Sequence, residues 1–136
     1  MSNNKSLIAL YSTSLKENWV HSALTDYKGV SYTYGDVALH IARLHTIFKE
    51  YGIKPGEHIA ICGRNSSRWG ISFLAILTYG AVAVPILHEF KEENVHHIVT
   101  DSDSRLLFVG DSNRKQLNYD EMPNLEAVIR IEDFSL

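Results

Sequence analysis

The 136-residue chain is 45% hydrophobic and 21% charged, the balance of a globular domain rather than of a disordered or fibrous polymer. Thirteen Lys and Arg against sixteen Asp and Glu leave a formal net charge of -3, so no global positive field draws nucleic acid or anionic lipid. A chain of this length buries roughly two thirds of its unfolded surface, which predicts a single core and a single domain over residues 1–136. The one cysteine, Cys62, has no partner for an internal disulfide, and Met1-Ser2-Asn3-Asn4-Lys5 lacks the basic-then-apolar pattern of a secretion signal. A reducing, cytoplasmic setting is therefore expected, with a peripheral place at the inner membrane face left open.

In chain order, residues 6–19 carry Leu7, Ile8, Leu10, Tyr11 and Leu15 at a mostly helical spacing, which predicts an amphipathic entry helix. Residues 20–24 and 30–34 are short extended runs around Asp26-Tyr27-Lys28-Gly29, a turn sequence, and predict a β-hairpin. Thr33 and Asp36 form an acidic variant of the capping box. They open a helix whose apolar residues, Val37, Ile41, Leu44, Phe48 and Tyr51, recur at spacings of three and four. Gly52 is placed to end that helix, and Pro55-Gly56 stops it from resuming.

Residues 58–62 read as a strand, after which Gly63-Arg64-Asn65 leads into a helix with Asn65 as the expected cap. That helix carries Trp69, Ile71, Phe73, Leu74, Ile76 and Leu77 around nearly its whole circumference, so neighbours are expected to cover it on all sides. The eleven-residue run 69–79, interrupted by Ser72 and Thr78, is far below the roughly 20 apolar residues a membrane-spanning helix needs. A strand at 81–85, a polar helix at 91–100, a strand at 106–109, a short helix at 113–119 and a last strand at 127–131 complete the pattern. Alternation of this kind predicts an α/β fold: a layered, mostly parallel sheet with helices on its faces and an N-terminal β-hairpin. The last strand stands without a following helix, which reads as truncation and predicts an apolar face or edge through which copies self-associate as a homo-oligomer.

The glycine-rich phosphate loops of nucleotide-binding domains, the zinc-protease helix motif and the nucleophile elbow do not occur in the sequence. Gly63-Arg64-Asn65-Ser66-Ser67-Arg68 follows the first parallel strand, where an anion can sit at a helix start; the same residues also read as a simple cap with solvated arginines. The seven histidines show no metal-ligand spacing, since His96 and His97 point about 100° apart on a helix and His40 and His45 are five apart. Cys62, at the end of an apolar strand, reads as a core residue. Asp111 follows a strand as a receiver-domain phosphoacceptor would, which keeps a free-standing α/β binding or receiver-type module as an alternative. Ile59-Ala60-Ile61-Cys62-Gly63-Arg64, however, supplies no acidic Mg²⁺ cluster.

Five stretches in order resemble the adenylate-forming (AMP-binding) enzymes. They are Ser31-Tyr32-Thr33-Tyr34-Gly35-Asp36-Val37-Ala38, Gly52-Ile53-Lys54-Pro55-Gly56-Glu57-His58-Ile59-Ala60-Ile61, Asn65-Ser66-Ser67-Arg68-Trp69, Leu77-Thr78-Tyr79-Gly80-Ala81-Val82-Ala83-Val84-Pro85-Ile86 and Val99-Thr100-Asp101-Ser102-Asp103-Ser104-Arg105-Leu106-Leu107-Phe108. The third and fifth resemble most the long-chain fatty-acid CoA ligases (acyl-CoA synthetases), while His88-Glu89-Phe90 departs from the loop of that branch. The resemblance implies the incomplete N-terminal part of the adenylate-forming fold, from a ligase that joins a fatty acid to coenzyme A through an acyl adenylate, using ATP and Mg²⁺. The family's catalytic motifs have no counterpart in these residues, so the fragment is expected to be inactive alone, with no catalytic or metal-binding residue of its own. One cofactor-binding role is implied: Arg114 or Lys115 falls where related acetyl-CoA synthetases contact the phosphates of coenzyme A, although a solvated helix start explains the same charges.

Overall fold

The computed structural model describes residues 22–25 and 31–136. The expected helix at 6–19 and the turn at 26–29 lie outside the described residues. On either side of that turn, β1 (Ser22–Thr25) and β2 (Ser31–Thr33) pair antiparallel, as the two extended runs predict.

The capping box forms as read. Thr33 Oγ1 accepts from the Asp36 amide at 3.1 Å, and Asp36 Oδ2 accepts from the Thr33 amide at 3.0 Å. These bonds start α1 (Tyr34–Glu50), whose Val37, Ile41, Leu44 and Phe48 are buried, each contributing about 1.5–3 kcal/mol of transfer free energy. The chain leaves α1 through a left-handed Gly52, with Ile53 N–H bonded to Phe48 O and Gly52 N–H to Lys49 O. Next come β3 (His58–Cys62), α2 (Ser67–Tyr79), β4 (Val82–Ile86), α3 (Glu92–Asp101), β5 (Leu106–Val109), a single turn α4 (Asp111–Arg114), a 3-10 turn at Tyr119–Glu121 and β6 (Ala127–Arg130).

The four later strands form one parallel sheet in the order β4-β3-β5-β6. Alternate residues of its central strands enter two cores. Ile59, Ile61, Leu106 and Phe108 face α1 and α2, while Ala60, Cys62, Leu107 and Val109 face α3. Helices on both faces of a parallel sheet are the layered α/β arrangement expected from the alternation.

Four expectations need correction. Ser66, not Asn65, caps α2: its backbone is extended, and its Oγ accepts from the Trp69 amide at 3.0 Å, three residues ahead. The helix expected at 113–119 is instead α4 plus the separate 3-10 turn, because the chain enters its helical turn immediately after Gly110 and leaves it by Lys115. α2 is not covered all round by the described residues: Ile71, Ala75 and Ile76 are buried, but Gly70, Phe73 and Leu77 stay half-exposed. Finally, the last strand is not left bare. Residues 130–135 fold into a tight turn, with Phe134 N–H bonded to Arg130 O at 2.7 Å, and Phe134 packs back on the core beside a fully buried Ile129. β6 remains an edge strand of the sheet, with Ala127 and Val128 half-buried.

Candidate functional site

In an open parallel sheet, ligands bind beyond the carboxyl ends of the strands at the point where the strand order reverses. Here β3 has β4 on one side and β5 on the other, so the reversal lies between β3 and β5. The loops leaving them approach closely. Gly110 N–H donates to Cys62 O at 3.0 Å, and a Cβ added to Gly63 would sit 2.9 Å from Ile131 Cδ1 and 3.4 Å from the Gly110 amide nitrogen. Small residues at both positions are what let these two turns meet.

A cleft of about 430 Å³ opens there, lined by Tyr32, Arg64, Ser66, Arg68, Gly110, Ser112, Ile131 and Glu132. Arg68, in the first turn of α2, has its guanidinium 4.8 Å from the Phe134 ring centre and 5.5 Å from that of Tyr32. Phe134 reaches this place with a left-handed backbone (φ 56), a conformation a bulky residue adopts only when its surroundings hold it. His40 completes the aromatic cluster, 6.0 Å from Tyr32 and 5.3 Å from Phe134 ring to ring. Burial and the nearby Arg68 lower its pKa, so the ring stays neutral beside the arginine.

Glu132, which lines the cleft, belongs to an ion-pair network. Arg130 donates to both carboxylate oxygens of Asp111 at 2.6 Å and to Asp133 at 2.9 Å, and Glu132 Oε2 accepts from the Asp111 amide. Arg130's guanidinium holds the Asp111 carboxyl below the usual carboxylate range. An Asp engaged this way is a structural anchor rather than a phosphoacceptor. Beyond Arg64 lies a second cleft of about 390 Å³ bordered by Asn65, Trp69, Ile86, His88 and Glu89, with His88 paired to Glu89 at 2.6 Å.

Arg114 and Lys115 are exposed and border neither cleft. Arg114 lies 3.6 Å from Asp111, whose charge is already met by Arg130, so both cations keep charge available to an anionic group at the surface. Magnesium is different. Among the described residues no three His, Cys, Asp or Glu side chains converge to hold an ion, and the cleft's carboxylate, Glu132, is engaged with the Asp111 amide. The residues present do not fit a Mg²⁺ site.

No nucleophile is activated at the site either. Burial pushes the Cys62 thiol up to about 11. The contact between His45 and Thr78 runs the wrong way for general base catalysis. Thr78 Oγ1 donates to Leu74 O at 2.7 Å, while His45 Nε2 donates to Ala75 O at 2.9 Å and lies 3.0 Å from Thr78 Oγ1. Tyr32, Phe134 and Arg130 escaped sequence reasoning because their partners are remote along the chain, and Arg68 drew notice only as one of two arginines near a helix start.

No described helix is long and apolar enough to cross a membrane. Residues 13–135 match the family model described as AMP-binding enzyme. Over 104 residues, 76% of this chain and 3% of the relative, the sequence is 28% identical to surfactin synthase subunit 2 of Bacillus subtilis (strain 168). It is 32% identical over 103 residues, 70% of this chain and 20% of the relative, to an oxalate–CoA ligase of Arabidopsis thaliana. The fold matches a long-chain-fatty-acid-CoA ligase from Archaeoglobus fulgidus at a TM-score of 0.80 and 20% identity, covering 92% of this chain and 27% of that one. The chain therefore spans a quarter or less of the length of these two relatives and about a quarter of that structure. With nearly all of its length matching one family and its layered sheet found in a solved ligase, the chain belongs to the AMP-binding enzyme family.

Proposed function

We propose that residues 1–136 are the N-terminal subdomain of a longer long-chain fatty-acid CoA ligase, which couples ATP cleavage to formation of an acyl adenylate and then of an acyl-CoA. The family match over 13–135 carries this reading, and the similarity to acid–CoA ligases supports a coenzyme A acceptor. Bound Mg²⁺ would neutralise the triphosphate, and its ligands would come from parts of that protein other than this segment. The contribution of residues 1–136 is positional: the capped helices and the close approach of Gly63 and Gly110 set one wall of the substrate cavity. Arg114 and Lys115, exposed outside both clefts, would attract the phosphates of coenzyme A at the surface.

Similarity to surfactin synthase favours a second reading, activation of an amino acid. ATP–pyrophosphate exchange by the gene's full product, offered palmitate, oxalate or single amino acids, separates the two. Exchange dependent on palmitate supports the fatty-acid reading, and exchange dependent only on an amino acid contradicts it. In the same protein, Arg114→Ala combined with Lys115→Ala should raise KM for coenzyme A about tenfold, as expected for losing a charge-assisted contact, with little change in KM for the acid. An unchanged KM for coenzyme A takes both residues out of the site.

A further inference from the structure

We propose that the turn after β6, residues 130–135, is an acid-sensitive latch on the cleft, with His40 as its proton sensor. The turn is held closed by two backbone bonds and one ring. Phe134 N–H donates to Arg130 O at 2.7 Å, Arg130 N–H donates to Ser135 O at 2.8 Å, and the Phe134 ring, 6% exposed, packs edge-on against Phe108 at 6.5 Å. Phe134 keeps a left-handed backbone (φ 56), so the packing of its ring works against a local strain that opening the turn would relieve. The turn also carries Ile131 and Glu132 into the lining of the cleft, and opening it would change that lining.

Two basic side chains share the rings that hold this turn. His40 stands edge-on to Phe134 at 5.3 Å and to Tyr32 at 6.0 Å, while the Arg68 guanidinium lies 4.8 and 5.5 Å from the same two ring centres. A neutral imidazole serves there as one more aromatic edge. A protonated one sets a second positive charge beside a permanent one, in a half-buried place where water screens the pair poorly. Burial and then Arg68 lower the His40 pKa, in accord with that geometry. The other charged groups near the ring among the described residues do not cancel this effect. α1 contributes Arg43, which opposes protonation, and Asp36, which favours it while bonded to the Thr33 amide. In the turn, Asp133 is bonded to Ser135 and Arg130, Arg130 is bonded to Asp111, and Glu132 accepts from the Asp111 amide. Asp133 and Asp111 are held below the usual carboxylate range by Ser135 and by Arg130 respectively, so they titrate in a different pH window from the imidazole.

Linkage gives the sign. With the turn open the ring is hydrated and takes up a proton nearer pH 6.5, whereas with the turn closed it resists until a lower pH. Opening therefore takes up a proton, and its equilibrium constant rises by up to about tenfold per pH unit below 6.5 until the closed-state pKa is passed. The test is backbone amide hydrogen exchange of the 136-residue chain, followed by NMR between pH 7.5 and 5 and expressed as protection relative to the unfolded-chain rate at the same pH. Amide dispersion at pH 7.5 reports the fold first. The proposal expects the Phe134 amide to be less protected than that of Phe108 in β5, since the turn opens without the core, and to lose protection several-fold on the acid side. His40→Gln, which is polar but does not titrate, should leave Phe134 protection flat across the range, and His45→Gln should leave the acid loss at Phe134 in place. Constant Phe134 protection in the wild type overturns the latch by itself, as does protection equal to that of Phe108, and an acid loss that persists in His40→Gln removes His40 as the sensor.

Discussion

His45 shows how a single residue's surroundings set a measurable property. Its ring lies between α1 and α2, donating to Ala75 O and packing edge-on against Tyr79 at 5.3 Å. Burial lowers its pKa, outweighing the bond to Ala75, which favours the charged form. In the unfolded chain the ring takes up a proton near pH 6.5, while in the fold it resists until a lower pH. The unfolded state thus binds more protons in that window, and stability falls as pH drops from 6.5 through the folded pKa. His40, lowered in the same direction, adds to the slope. Urea unfolding of wild type and His45→Gln between pH 7.5 and 5 should give a shallower acid loss in the variant, which keeps an N–H donor but does not titrate. Parallel curves would mean that His45 is not the group responsible.

Among the elements, Arg105 ties together several of the connections at the amino ends of the strands. Its guanidinium donates to both oxygens of Glu57 at 3.1 Å, to Tyr51 O at 2.6 Å, and to Glu126. One side chain therefore joins the end of α1, the turn before β3 and the turn before β6. Glu57 is held low first by the Lys54 amide and then by Arg105, and Glu126 by Arg105. The partners are partly exposed, so solvent screening reduces the Coulombic part and the backbone carbonyl bond carries much of the effect. Arg105→Ala should destabilise the chain by about 1–3 kcal/mol, read as a lower urea midpoint at unchanged m-value. A midpoint within error of wild type would show the clamp to be idle.

α1 and β5 are legible because their information is local: a capping box, a helical period and an unbroken apolar run bounded by turn residues. The cap of α2 was misplaced by one residue because Asn65 and Ser66 are equally good caps, and only the extended backbone at Ser66 decides between them. The helix expected over 113–119 does not form as one element: its place is taken by a single turn from Asp111 to Arg114, in which Asn113 is buried and its Nδ2 donates to His88 O at 2.8 Å.

For the whole molecule, the strand order β4-β3-β5-β6 is what creates the cleft, and no sequence period encodes it. Two turns separated by nearly fifty residues, those after Cys62 and Val109, are brought together by parallel pairing of β3 with β5. Arg68, which lines the cleft, and Phe134, still farther apart in sequence, then come into contact. Each half of such a pair looks unremarkable in its own stretch of chain, so the site was legible only as a location near Gly63 and as a family resemblance. What this assembly provides is a shaped, partly cationic wall; among the described residues no activated nucleophile or metal-binding cluster accompanies it.

That division of labour is tested most directly by ATP–pyrophosphate exchange with the purified 136-residue chain, supplied with Mg²⁺ and a panel of fatty acids and amino acids after its fold is verified by amide dispersion. The account predicts no exchange above the protein-free blank with any acid. Exchange that scales with chain concentration and is lost on unfolding would contradict it, by placing adenylation chemistry within these residues.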